Sequence, residues 1–293
     1  MKRIRTILAL FTIAIVLVSC GNDNSRKIVD QMNREVLIKE NPEKVLCLSP
    51  AMGEWMFKLG LGDKIVGRNS LCTYPDQMMK KTDVGMVYLL DTSIIKTLQP
   101  DIVISNSQLP RKWVQWFEEK DIDLILFKGG NKVSDIYPAL TLLGQVFHKE
   151  AEANNIIAQY KKEIAEIENN PLSPKPRTYF AMKFAGYGGE DMTATKDHLF
   201  GDIMRIAGVN NIAENYRSMS LVRADVVKSN PEYILVYASE KEAFCSKGVY
   251  QDMDAVKNNK VIGIDKAFLQ ELSPRNLDAI KYIRQTIQDN EKD

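Results

Sequence analysis

Imidazole is the commonest tool of metal and acid–base chemistry, and this chain of 293 residues carries it at two positions, His148 and His198. They stand far apart in the sequence. A zinc or manganese centre built from several histidines cannot be drawn from them. A serine hydrolase would have to borrow one of them, with no Gly-x-Ser-x-Gly elbow to present its nucleophile. Neither a P-loop nor a dinucleotide fingerprint is present. Gly186, Tyr187, Gly188 and Gly189 make a glycine-rich stretch, but it follows a strand without an immediate helix. It reads as a cleft loop, not a phosphate cradle. His148 falls in a helical segment and reads as a surface residue. His198 stands where a loop becomes a helix.

The cysteines are Cys20, Cys47, Cys72 and Cys245. With Cys20 set aside, three remain, and an odd number argues against a full disulfide framework. Cys47 lies in a strand and reads as a buried apolar thiol. No CxxC pair or metal-finger spacing occurs. Lys and Arg number 39 against 38 Asp and Glu, a formal net charge of +1, so no basic field exists to collect nucleic acid. The composition, 45% hydrophobic and 26% charged, is globular, and the length allows two cores.

The first twenty residues carry a different chemistry. Lys2, Arg3 and Arg5 precede an apolar run over 7–18, too short to span a bilayer and laid out as a secretory signal. The run ends Leu17, Val18, Ser19, Cys20. A bulky residue, two small ones and a cysteine form a bacterial lipoprotein box, in which the cysteine thiol receives diacylglycerol. The polar residues 22–26 read as a tether.

These chemistries need a scaffold. Val45, Leu46, Cys47 and Leu48 are a short apolar run that reads as a buried parallel strand ending at Ser49 and Pro50. Helical spacing over 54–59 buries Trp55, Met56 and Leu59, and Gly60 and Gly62 close it. Ile65 and Val66 open a second strand. This β-α-β unit is the first of several. Strands follow at 102–104 and 124–127, with a helix at 113–119 between them, so a parallel sheet is expected. Residues 30–36 read as a hairpin turning at Met32 and Asn33. From 133 to about 168 the apolar residues step at helical intervals without a strand. One helix of that length would span ~50 Å and cross a domain; the alternative is two ordinary helices with a break near Gly144, the one weak point in the run. Strands at 177–182, 233–237 and 261–264 and helices at 199–207, 222–229 and 277–287 make a second unit. Each half runs helix, Pro with an acid, strand: Pro100-Asp101 before 102–104, Pro231-Glu232 before 233–237. That pattern reads as a duplication.

The order of these pieces resembles the substrate-binding proteins of ABC importers for metal chelates, the binders of vitamin B12, ferric siderophores and haem. The resemblance covers nearly the whole mature chain. It rests on Asp30, Asn33, Arg34, Glu35 and Val36, where the family usually has glycine in place of Asn33. It continues through Pro42-Glu43-Lys44-Val45, Ser49-Pro50, Glu54, Leu59-Gly60-Leu61-Gly62-Asp63, Val66-Gly67, Cys72-Thr73-Tyr74-Pro75, Val84-Gly85 and Pro100-Asp101. In the second half it rests on 207–212, Asn230-Pro231 and Ser273-Pro274-Arg275. What the resemblance implies is an α/β fold of two Rossmann-like lobes with mostly parallel sheets, joined by a single long backbone helix, with the ligand in the groove between them. The expected divisions are a signal peptide at 1–20, a tether and hairpin at 21–40, an N-terminal lobe at 41–132, the linking helix at 133–170 and a C-terminal lobe at 171–293.

Strand ends then nominate the groove residues: Ser49, Met52, Tyr74 and Tyr88 from the first lobe, and Phe184, Tyr187, Arg217 with its neighbour Tyr216, Phe268 and Glu271 from the second. Aromatic walls with a few polar anchors suit a large planar or macrocyclic chelate. The expected partners are that chelate, an ABC permease with its ATPase, and the bilayer through Cys20. The chain is read as a monomer without nucleic acid, catalysis or a resident metal, held on the periplasmic side of a membrane. The family commonly docks its permease through one exposed glutamate per lobe. Here the matching positions are Ser93 and Ala224, with Asp91 and Asp225 as nearby substitutes. A scavenger or sensor without an importer therefore stays open, as does a tethered enzyme on the same fold. Haem binders of the family usually carry tyrosine directly after the Val-Gly pair, where Met86 stands here. Tyr74, Tyr88 and His198 are the remaining candidate iron ligands. Cys72-Thr73-Tyr74-Pro75 and Ser273-Pro274-Arg275 look most like the cobalamin binders.

Overall fold

The computed structural model describes residues 25–184, 189–269 and 272–292. Cys20, Tyr187 and Glu271, expected from the sequence to carry the lipid and line the groove, lie outside the described residues. The chain opens with an antiparallel hairpin of β1 (Ser25–Val29) and β2 (Glu35–Lys39). Asn33 turns it at φ 59°, a left-handed conformation that asparagine tolerates. The buried Asp30 carboxylate accepts from the backbone of Met32 and Arg34 and pairs with the Arg34 guanidinium. It also accepts from Leu126 N, which pins the hairpin to the first sheet.

The first lobe runs β3 (Val45–Cys47), α1 (Pro50–Lys58), β4 (Ile65–Arg68), β5 (Thr82–Asp83), β6 (Gly85–Met86), β7 (Leu89–Leu90), α2 (Thr92–Leu98), β8 (Ile102–Asn106), α3 (Arg111–Glu119) and β9 (Asp123–Phe127). Its sheet has the order β5-β4-β3-β8-β9, with every pairing parallel. Every residue of β3 is buried, as expected of a strand covered on both faces.

Two helices follow, α4 (Ile136–Phe147) and α5 (Glu150–Asn169). The second lobe runs β10 (Arg177–Ala181), β11 (Glu190–Met192), α6 (Leu199–Ala207), β12 (Asn210–Asn211), β13 (Ser220–Val222), α7 (Arg223–Ser229), β14 (Tyr233–Tyr237), α8 (Lys241–Cys245), α9 (Asp254–Lys257), β15 (Val261–Ile264) and α10 (Arg275–Asn290). Its sheet is parallel in the order β12-β10-β14-β15.

The duplication has a mechanism. Helices α2 and α7 each end at a left-handed residue, Gln99 (φ 47°) and Asn230 (φ 42°), followed by proline and an acid. The Asp101 carboxylate accepts from Glu43 N and Lys44 N, at the entrance to β3. Glu232 accepts from Arg177 N, at the entrance to β10. In each lobe the acid after the proline satisfies orphan amides where a central strand begins.

The expectation of one helix over 133–168 is corrected. A 3-10 turn at Val133–Asp135 leads into α4, and His148 (φ 52°) ends α4 in the left-handed conformation. Lys149 N donates to Gly144 O across this break. The His148 ring meets both the backbone oxygen and the carboxylate of Glu40, which holds the elbow. A Cβ on Gly144 would stand 2.9 Å from the Ala153 Cβ, so glycine here lets the first turn of α5 fold back on α4. The long connecting helix is therefore the 20-residue α5 alone, about 30 Å at 1.5 Å per residue.

Candidate functional site

The lobes meet through specific contacts. Trp55 Nε1 in α1 donates to Leu272 O at 2.8 Å, and Arg275 Nε donates to Glu54 Oε2 at 3.0 Å. A second Arg275 nitrogen bonds Glu54 Oε1, making a bidentate ion pair between two buried side chains. Tyr160 of α5 donates to Pro274 O and packs edge-on to Trp55. Val133 N donates to the buried Asp202 of α6. One apolar cluster runs unbroken from Met52 and Trp55 through Tyr160 to Ile280 and Ile283.

Between these lobes lies a cavity of about 370 Å³. Its first-lobe wall comes from the carboxyl ends of three adjacent parallel strands, the usual place for ligands in α/β sheets. After β3 come Ser49, Ala51 and Met52; at the end of β8, Asn106 and then Ser107 and Gln108; at the end of β9, Phe127 and then 128–131. Gly130 is required there, since an added Cβ would meet Asp135 at 2.4 Å. The Asp135 carboxylate holds this loop by accepting from Asn131 N and Lys132 N. The second-lobe wall is His198, Leu199 and Phe200 at the start of α6, with Leu269 and Leu272 before α10.

The wall is mostly apolar and neutral. Lys128 is its one lysine, and no arginine or carboxylate lines it among the described residues. Two groups that look reactive are committed to helix caps. Ser49 Oγ accepts from Met52 N at the start of α1. His198 Nδ1 accepts from Phe200 N at 3.2 Å at the start of α6. An imidazole whose Nδ1 accepts is protonated at Nε2 when neutral, so it offers an N–H donor and not a lone pair. Burial lowers the His198 pKa below its ordinary 6.5, favouring this neutral form.

The nominated residues separate. Ser49 and Met52 line the cavity. Tyr74 stands outside it, 47% exposed, its ring 4.4 Å from the Arg275 guanidinium. Tyr88 is 68% exposed in the turn between β6 and β7. Phe184 packs against Phe244 and Tyr250 in the second-lobe core. Phe268 packs against the main core with its ring towards Tyr282. Arg217 and Tyr216 border a separate groove with Arg177 and Asn210. Asp91 caps α2 by accepting from Ser93 N and Ile94 N. Asp225 is exposed in the first turn of α7. Not nominated were 106–108 and 128–131. The polar run after Ile104 and the Gly-Gly pair after Phe127 were the signals, since both directly follow strands.

A family model described as "Periplasmic binding protein" matches residues 45–268. The chain is 23% identical over 312 residues to the uncharacterized ABC transporter substrate-binding lipoprotein YvrC of Bacillus subtilis, covering 95% of each. It is 22% identical over 262 residues to a cobalamin-binding protein of Halobacterium salinarum, covering 84% of this chain and 69% of that one. Among solved structures, the periplasmic heme binding protein HutB of Vibrio cholerae superposes with a TM-score of 0.75 at 16% identity, covering 84% of this chain and 99% of that one. At this identity the structural likeness establishes the fold.

Proposed function

The chain belongs to the periplasmic binding protein family, and from that membership we propose that it captures a metal chelate between its lobes and delivers it to an ABC permease and its ATPase. The name of the B. subtilis relative supports the importer, and the lipoprotein box supports anchoring through Cys20.

One observation carries the choice of ligand. The cavity offers Ser49, Asn106, Ser107, Gln108, Asn131 and an Nε2–H donor on His198 among apolar residues, with one lysine and no arginine among the described residues. Carboxylate-bearing haem or an anionic ferric siderophore would call for charge-assisted donors, above all arginine. A corrin ring fringed with neutral amides matches neutral donors and acceptors. The ligand proposed is therefore cobalamin. The test is tryptophan quenching and native mass spectrometry against cyanocobalamin, hemin and a ferric siderophore. Micromolar or tighter binding of cyanocobalamin with weaker binding of the other two is expected. Preference for hemin overturns the ligand, and no binding of any overturns the chelate reading.

A second reading, a scavenger or sensor without an importer, draws on the docking positions. Ser93 and Ala224 carry no charge, and the Asp91 carboxylate is engaged by its own helix. Co-purification of a permease with the membrane-extracted protein separates the two. An enzyme draws no support from Ser49 and His198, since each is engaged in a cap.

A further inference from the structure

Cys47 and Cys72 occupy the same apolar cluster beneath α1, and both are buried. Cys47 ends β3, beside the place where the chain turns into the binding cavity. Its thiol donates to Ser49 O at 3.2 Å. Cys72 is brought to it by a tight turn after β4. Asn69 N donates to Cys47 O at 3.1 Å, and Cys72 N donates to Asn69 O at 3.0 Å. The Cys72 thiol then points back and donates to Cys47 O at 3.7 Å. So one thiol reaches the other residue's own carbonyl, and the buried Asn69 side chain fixes the turn between them by donating to Leu48 O and accepting from Leu71 N.

We propose that Cys47 and Cys72 are joined as a disulfide when the protein works outside the cytoplasm, fastening the loop that carries Tyr74 to the strand that carries Ser49. Thiols outside the cytoplasm meet oxidants that cytoplasmic thiols do not. Contact with the Cys47 thiol and burial both raise the Cys72 pKa, so exchange begins when the loop opens. Leu71 and Tyr74 beside it are already exposed, which makes this loop the movable partner. The opened Cys72 thiolate attacks one sulfur of an external disulfide and releases one thiol. The Cys47 thiolate then attacks Cys72 Sγ and displaces the second thiol. The two protein protons end on the two released thiols, and the two electrons reduce the external disulfide.

The experiment needs no variant. The full chain is treated with oxidised glutathione, alkylated under denaturing conditions and cut with trypsin. Cleavage after Lys44, Lys58, Arg68 and Lys80 places Cys47 in peptide 45–58 and Cys72 in peptide 69–80. The expected product is these two peptides linked, lighter than their sum by two hydrogens. The linked form should also melt higher than the reduced form by on the order of 5 °C, because the bond closes a loop in the unfolded chain. Three outcomes overturn the proposal: full alkylation of both cysteines after oxidation, glutathione left on Cys72 alone, or either cysteine linked to Cys245.

Discussion

At the scale of the residue, His198 does two jobs with one ring. Nδ1 holds the first turn of α6, and Nε2 is left as a donor. Because burial depresses its pKa in the folded state, the unfolded chain binds the proton more readily. The stability it contributes is present above the ordinary pKa of 6.5 and is lost as pH falls below that value toward the folded-state pKa. His198→Asn keeps a good N-cap without the titration, so its chemical denaturation midpoint should lose the part of the pH 5–7 slope that His198 supplies. His198→Ala should cost about 1 kcal/mol at neutral pH. If the alanine variant is as stable as the parent, the cap is not formed in solution.

At the scale of the element, the elbow between α4 and α5 carries the clearest test. Alanine is favoured over glycine in a helix interior by roughly 1 kcal/mol, while overpacking costs about 1–3 kcal/mol. Since the Ala153 Cβ belongs to a backbone-fixed methyl with no rotamer to yield, overpacking should win. Gly144→Ala should therefore destabilise by about 1 kcal/mol in urea unfolding, and Gly144→Ala with Ala153→Gly should recover part of it. An unfolding midpoint raised by Gly144→Ala would mean that the helices do not pack so closely. The elbow also moves the chain's weak point. Sequence alone places it at Gly144, whereas the left-handed residue is His148.

At the scale of the whole molecule, the lobes are latched as well as linked. Glu54 and Arg275 are both buried, so Glu54→Ala strands a guanidinium and should cost roughly 3–5 kcal/mol. Tyr74 covers the same guanidinium, and Tyr74→Ala should cost about 0.5–2 kcal/mol by the same assay. With this latch, the Trp55–Leu272 bond and the Tyr160 buttress in place, the lobes should reorient by only a few degrees on binding. Small-angle scattering should give nearly equal radii of gyration with and without cyanocobalamin. A clear contraction would mean that the latch opens. Anchoring is a separate property of the whole chain. Cys20→Ser should move the protein from the membrane fraction to the soluble one, since acyl chains supply the affinity. Sedimentation with membranes despite the substitution would refute the lipoprotein reading.

What the amino-acid sequence determined by itself is what depends on neighbours along the chain. The buried runs 45–48 and 233–237, the helix 199–207 and the hairpin at Asn33 were legible because period, turn chemistry and capping are local. The two matched Pro-acid stops were legible for the same reason, and with them the two-lobed α/β architecture. Tertiary structure decided what depends on distant partners. The elbow at His148 needs Glu40, more than one hundred positions away. Phe184 and Phe268 carry the same aromatic signal as a groove wall, yet the core claims them because apolar rings are driven to whichever surface buries them. The cavity's amides at Asn106, Gln108 and Asn131 and the pairing of Glu54 with Arg275 follow from strand order and lobe contact, which no local pattern encodes.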